Sequence, residues 1–171
     1  MSQPLDLLDF PLHGSRLIEA SAGTGKTFAL ALLYIRLVLG HGRPGAAFAH
    51  PLTPPEFRVV TFTEAATQEL RDRIRQRLVA AAACFEASPD AAAVQAPGQD
   101  PLLDLRASYP AGQWPGCALR LRRAADWMDE AVISTIHGWC NRMLQEHAFD
   151  TRGLFDRALV TDQTDLIAEV V

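Results

Sequence analysis

One stretch constrains the fold of this chain more than any other. Ala20-Ser21-Ala22-Gly23-Thr24-Gly25-Lys26-Thr27 lies between a short strand-like run, Leu17-Ile18-Glu19, and a dense run of helix formers from Lys26 to Leu39. Strand, glycine turn and helix in that order are the start of a βα unit. The spacing fits the phosphate-binding loop G-x-x-x-x-G-K-S/T, with Ala20 standing where the first glycine belongs. The chemistry explains the pattern. Glycines let the backbone wrap close to a triphosphate so that successive N–H groups point inward, and the helix start adds its positive end. Lys26 is then placed to bridge the outer phosphates, and the Thr27 hydroxyl to ligate Mg²⁺. Ala20, Ser21, Ala22, Gly23, Thr24, Gly25, Lys26 and Thr27 are the candidate nucleotide-binding residues, Lys26 and Thr27 the candidate catalytic pair, and Thr27 the candidate metal ligand. A glycine turn that only links strand to helix is the plainer alternative.

Hydrolysis at such a loop also needs an acidic residue at the end of a second strand. Asp129-Glu130 is the only Asp-Glu pair, and it precedes an apolar strand instead of following one. It reads as a solvated helix end.

The rest of the chain repeats the strand–helix order. The helix from Lys26 to Leu39 is apolar on nearly every side and stops at Gly40 and Gly42. A Pro- and Gly-rich loop from His41 to Glu56 leads to a predicted strand, Arg58-Val59-Val60-Thr61-Phe62, and Thr63 is a natural N-cap for a helix from Glu64 to Cys84. Leu70, Ile74 and Leu78 mark the buried face of that helix; Arg71, Arg73, Arg75 and Arg77 crowd the rest, as a solvated face or an electrostatic track. Between Ser88 and Gly116 lie five of the eleven prolines, which predicts broken or absent regular structure. A helix from Cys117 to Glu130, a strand at Ala131 to Thr135 and a helix from Gly138 to Phe149 follow. The closing run, Leu166 to Val171, reads as a helix without a stop signal. Alternating strands and helices predict an α/β fold with a parallel sheet.

Charge and cysteines limit the function classes. With 16 Lys and Arg against 20 Asp and Glu, the net charge is −4, so any nucleic-acid contact must be local. Cys84, Cys117 and Cys140 form no C-x-x-C, which supports neither a disulfide framework nor a structural zinc site. The start, Met1 to Phe10, carries Asp6 and Asp9 and no basic region, and the apolar run from Phe28 to Leu39 is interrupted by Arg36. A cytoplasmic protein with no membrane role is expected.

Two further segments complete a pattern: Val60-Thr61-Phe62-Thr63-Glu64-Ala65-Ala66, with E-L-R-x-R-I after it, and Ser134-Thr135-Ile136-His137-Gly138-Trp139-Cys140, continuing x-R-M-L. Together with the phosphate loop they resemble the opening part of the UvrD-like helicases of superfamily 1, and within them the RecB-type helicase–nucleases. The resemblance covers essentially the whole chain, including Leu17-Ile18-Glu19 and Met128-Asp129-Glu130-Ala131.

It implies a partial RecA-like P-loop NTPase fold with flanking helices. Residues 1–84 would carry the phosphate loop and a DNA-contacting motif, 85–130 a helical and loop insertion, and 131–171 a return to the RecA-like domain and the truncated start of a further helical region. It implies ATP and Mg²⁺ as cofactors, and Thr61, Phe62, Thr63 and His137 as DNA contacts. An aromatic beside hydroxyls at a strand end can stack a base and hold a phosphate; taken alone, Phe62 reads as a core aromatic and His137 as structural. Trp139 is expected to be packed. It implies single- and double-stranded DNA as substrates, RecC-like and RecD-like subunits as partners in a heterotrimer, and 3′-to-5′ translocation with exonuclease activity in double-strand-break repair and recombination. The family's adenine-reading Gln is replaced by the Phe10-Pro11-Leu12-His13-Gly14 approach, leaving His13 in its place. The acidic Mg²⁺ motif, second RecA-like domain and nuclease domain are missing from these residues, so an N-terminal fragment with little turnover of its own is expected. The alternative is a non-catalytic nucleotide- or DNA-binding module.

Overall fold

The computed structural model describes residues 5–19, 21, 23, 25–88 and 100–147. Helix α1, Lys26–Leu39, begins after Gly25, whose φ of 84° only glycine adopts at little cost. It ends in a Schellman motif. The Gly40 N–H donates to Leu37 O at 3.2 Å and the His41 N–H to Arg36 O at 2.8 Å, with Gly40 at φ 67°. Arg36, wholly buried in this otherwise apolar helix, donates to the carbonyls of Leu7 (2.7 Å) and Phe10 (2.8 Å) and to His41 Nδ1 (3.2 Å). Those bonds tie the N-terminal segment to the end of α1.

A single 3₁₀ turn, Pro54–Glu56, delivers the chain into β1, Arg58–Thr61. Thr63 accepts the Ala66 N–H and opens α2, Glu64–Glu86, whose 23 residues extend about 34 Å. Leu70, Ile74 and Leu78 are buried on one face, as their spacing predicts, and Ala81, Ala82 and Phe85 continue it. Next come α3, Pro101–Ala107, and α4, Trp114–Asp126, then a 3₁₀ turn at Trp127–Asp129, β2 at Val132–Thr135 and α5 at Ile136–Glu146. β1 and β2 pair in parallel, from Arg58↔Val132 to Thr61↔Thr135. The fold is α/β. Helix α2 is its central element, touching α1, α3, α4 and both strands. One core runs through all of them, from Leu32, Ile35 and Tyr34 stacked on Phe57 (4.0 Å between rings) to Leu105, Leu121, Met128 and Ile133.

Several expectations need correction. Leu17-Ile18-Glu19 forms no strand, and Leu17 is 82% exposed. A parallel strand requires a neighbour, and among the described residues β1 and β2 pair only with each other. The proline-rich segment is not without structure. Pro101 and Pro115 occupy first-turn positions, where a missing N–H costs nothing, and Asp100 caps α3 by accepting the Leu102 N–H at 3.0 Å. Residues 89–99 lie outside the described set. α4 starts at Trp114, ahead of Cys117, with Pro115 in its first turn, and α5 starts at Ile136, ahead of Gly138, because Thr135 accepts the Gly138 N–H. The expected helix end at Phe149 and the closing helix at 166–171 fall outside the described residues.

The four arginines of α2 form neither a free face nor a track. Arg71 donates to Met128 O (2.8 Å) and Ile133 O (3.2 Å), Arg75 bonds Asp129 (2.5 Å), Arg77 bonds Asp100 (3.4 Å), and Arg73 pairs with Glu69 one turn back (3.3 Å). Three of the four tie α2 to later parts of the chain. Their partners lie too far along the sequence for helical spacing to reveal them.

Candidate functional site

The start of α1 is built for an anion. Its N-cap is Gly25, with no side-chain cap, and its first turn holds no acidic residue. The helix's positive end and its first N–H groups meet no acidic side chain of that turn. Gly23 at φ 77° and Gly25 at φ 84° take the left-handed conformation that a loop wrapping a phosphate needs. Lys26 is exposed, and its Nζ donates to Ser21 O across the loop at 2.6 Å. Thr27 is half-buried. These residues fit a nucleotide phosphate and its Mg²⁺. Ala20, Ala22 and Thr24 lie outside the described residues. His13, expected near an adenine, bonds through Nε2 to Gly45 O.

The second constellation sits at the carboxyl ends of the strands. Because β1 and β2 are parallel and end in register at Thr61 and Thr135, the turns that follow emerge side by side. Phe62 is 86% exposed, which removes the core-aromatic reading. Thr61 Oγ1 bonds Thr67 Oγ1 (2.5 Å) and Thr63 O (3.2 Å), so it braces the turn from beneath. Thr63 Oγ1 is engaged as the α2 cap at 3.1 Å. His137, in the first turn of α5, is exposed, as is Ile136. Trp139 is half-buried. The structure thus gathers Thr61, Phe62, Thr63 and His137 at one edge.

Thr27, next to Lys26 in sequence, instead meets the middle of α2. Thr27 and Phe28 line a hollow of about 300 Å³ with Arg73, Gln76, Arg77 and Ala80, and the Arg77 guanidinium lies 4.6 Å above the Phe28 ring. Arg73 is some 14 Å along α2 from its capped end, at about 1.5 Å per residue. Asp129, the other acidic candidate, stands before β2 and is held by Arg75.

Two residues escaped the sequence reading. Thr135 is buried, accepts from the Gly138 N–H at 3.1 Å and donates to Glu64 Oε1 at 3.2 Å. An acidic residue in the first turn of a helix was the available signal for Glu64; its partner across the sheet was not. Among the described residues no three His, Cys, Asp or Glu side chains gather as a metal site, and no helix is long and apolar enough to cross a membrane.

Comparison with known proteins gives a consistent result. The UvrD/REP helicase N-terminal domain matches residues 6–171. The chain is 47% identical to the RecBCD enzyme subunit RecB of Escherichia coli K12 over 166 residues, 96% of this chain and 13% of that protein. It is 40% identical to the RecB subunit of Haemophilus influenzae Rd over 167 residues, again 96% and 13%. The RecB subunit of Mycobacterium tuberculosis H37Rv is 32% identical over 154 residues, 90% of this chain and 13% of that protein. The chain therefore spans about an eighth of the length of the curated relatives it matches.

Proposed function

The chain belongs to the UvrD/REP helicase family through its N-terminal domain, and from that membership we propose that it supplies the nucleotide-binding and strand-gripping part of an ATP-dependent DNA helicase of the RecB kind. In full, such a protein is a 3′-to-5′ translocase on single-stranded DNA with exonuclease activity, acting with RecC-like and RecD-like subunits in double-strand-break repair and recombination. Residues 1–84 are the first part of its RecA-like domain, 85–130 a helical and loop insertion, and 131–171 the return to that domain and the start of a further helical region.

The observation that carries the reading is the meeting of two turns at one sheet edge: Phe62 beside His137, each behind a threonine that caps or braces a helix start. An exposed aromatic next to hydroxyls can stack a base and hold the adjoining phosphate. Lys26 and Thr27 are the residues that would hold ATP and Mg²⁺, whose hydrolysis supplies the free energy for stepping. In this chain Lys26 neutralises phosphate charge, the uncapped start of α1 offers N–H donors, and Phe62, Thr63 and His137 grip the strand. Movement follows from differential contact: a nucleotide-dependent closure against a second lobe shifts that grip relative to the lobe.

Asp129 stands before β2 and is committed to Arg75, which supports a chain that binds both ligands and turns over almost no ATP by itself. Anisotropy of a labelled oligothymidylate of about 16 nucleotides tests the grip. Phe62→Ala is expected to weaken binding about tenfold, the effect of one lost base stack. Equal affinity for the native chain and the variant overturns the reading, and strand-stimulated ATP turnover by this chain overturns the claim of inactivity.

A further inference from the structure

Each strand of the parallel pair ends in a threonine whose hydroxyl is spoken for. Thr61 Oγ1 stays on its own side, with Thr63 O and Thr67 Oγ1. Thr135 Oγ1 reaches across. A backbone amide can only donate, so the 3.1 Å contact from the Gly138 N–H makes Thr135 Oγ1 an acceptor there, and its hydrogen is directed to Glu64 Oε1 at 3.2 Å. Among the described residues this is the one side-chain hydrogen bond joining the first turn of α2 to the first turn of α5. Glu64 occupies the first position of α2, where a carboxylate is favourable, and through Thr135 it also touches the start of α5. An anion thus already stands between two helix N-termini. Three large apolar side chains are exposed around it, Phe62 at 86%, Val60 at 43% and Ile136 at 40%, alongside the exposed His137.

We propose that Glu64 is a positioning residue that locks the Phe62–Thr63 turn to the Ile136–His137 turn, so that the two grip one strand as a unit, and that its carboxylate denies a DNA phosphate the notch between the helix starts. The bases then face the apolar edge and the phosphates run outside it. This rests on the strand-binding reading above.

The test is a double-mutant cycle on Phe62→Ala and His137→Ala, read by oligothymidylate anisotropy in the native chain and again in Glu64→Ala. In the native chain the two changes are expected to fall about fivefold short of multiplying, because either one disables a shared grip. In Glu64→Ala the losses should multiply and the starting affinity should be lower. Thr135→Val, which breaks the same bond without changing charge, should also abolish the coupling. Glu64→Gln keeps an acceptor and should retain it, while the salt dependence of binding steepens by about one phosphate contact. A coupling that survives both Glu64→Ala and Thr135→Val overturns the inference and leaves strand binding intact. If neither Phe62→Ala nor His137→Ala changes affinity in the native chain, strand binding at this edge falls and the inference with it.

Discussion

The Arg71 guanidinium donates to the main-chain oxygen of Ile133 at 3.2 Å while also holding Met128 O at 2.8 Å, pinning the middle of α2 to the entry of β2. Both acceptors are carbonyls that a short strand and a 3₁₀ turn leave without other partners from α2, and only a forked donor reaches both. Arg71→Ala is expected to lower stability by about 2–3 kcal/mol, the loss of two charge-assisted bonds. Arg71→Lys should recover less than half. Urea unfolding measures the first effect. The salt dependence of strand binding should not change, and a shallower slope in Arg71→Ala would restore the electrostatic-track reading.

Gly40 closes α1 at φ 67°, and a Cβ there would lie 2.8 Å from Pro51 Cγ. The proline ring cannot swing away as a flexible chain end could. Gly40→Ala should cost about 2–4 kcal/mol, combining a left-handed non-glycine residue with an overpacked contact. Adding Pro51→Ala should return the packing share and leave the conformational share. A thermal shift within a degree of the native chain would refute the argument.

His41 links Arg36 Nε, at 3.2 Å from its Nδ1, to Ser108 Oγ, at 3.0 Å from its Nε2. Burial, reinforced by the Arg36 charge and opposed by Asp9, pushes its pKa down to about 4. A histidine depressed in the folded state costs nothing above its unfolded pKa near 6.5. Below it the unfolded chain takes up the proton more readily, so stability falls as the pH drops from 6.5 towards 4. The expected loss is on the order of 1–2 kcal/mol after allowing for partial exposure to water. His41→Gln should flatten this part of the stability–pH curve, measured as melting temperature from pH 7 to 4.5. An unchanged curve would remove His41 from the account.

Lys26→Ala should abolish binding of Mg·ATP by calorimetry. The side chain is exposed, so stability should stay within about 0.5 kcal/mol. Retained affinity would refute the phosphate-loop assignment.

What could be read from the sequence was local. Thr63, Gly40 and the 70–74–78 spacing announce themselves within a turn of helix, and the structure bears each of them out. The three segments that pointed to the family are also contiguous. What escaped depends on distant partners. The proline-rich stretch misled because Pro101 and Pro115 sit in the first turns of helices there, Pro101 directly behind the capping Asp100. Leu17-Ile18-Glu19 has strand composition without a strand beside it. The tasks of Arg36, Arg71, Arg75 and Glu64 are set by partners that tertiary packing alone brings near.

The pairing of Arg58 with Val132 carries a consequence for the order of events during synthesis. β1 leaves the ribosome with no partner, and all of α2, α3 and α4 must be made before one arrives. Helices α1 and α2 meet early through contacts close along the chain, whereas the ladder is a long-range closure and belongs to the slow part of folding. A nascent chain stopped short of Thr135 would hold its helical scaffold while β1 lacks the neighbour that β2 supplies, an edge open to association with other unfinished chains.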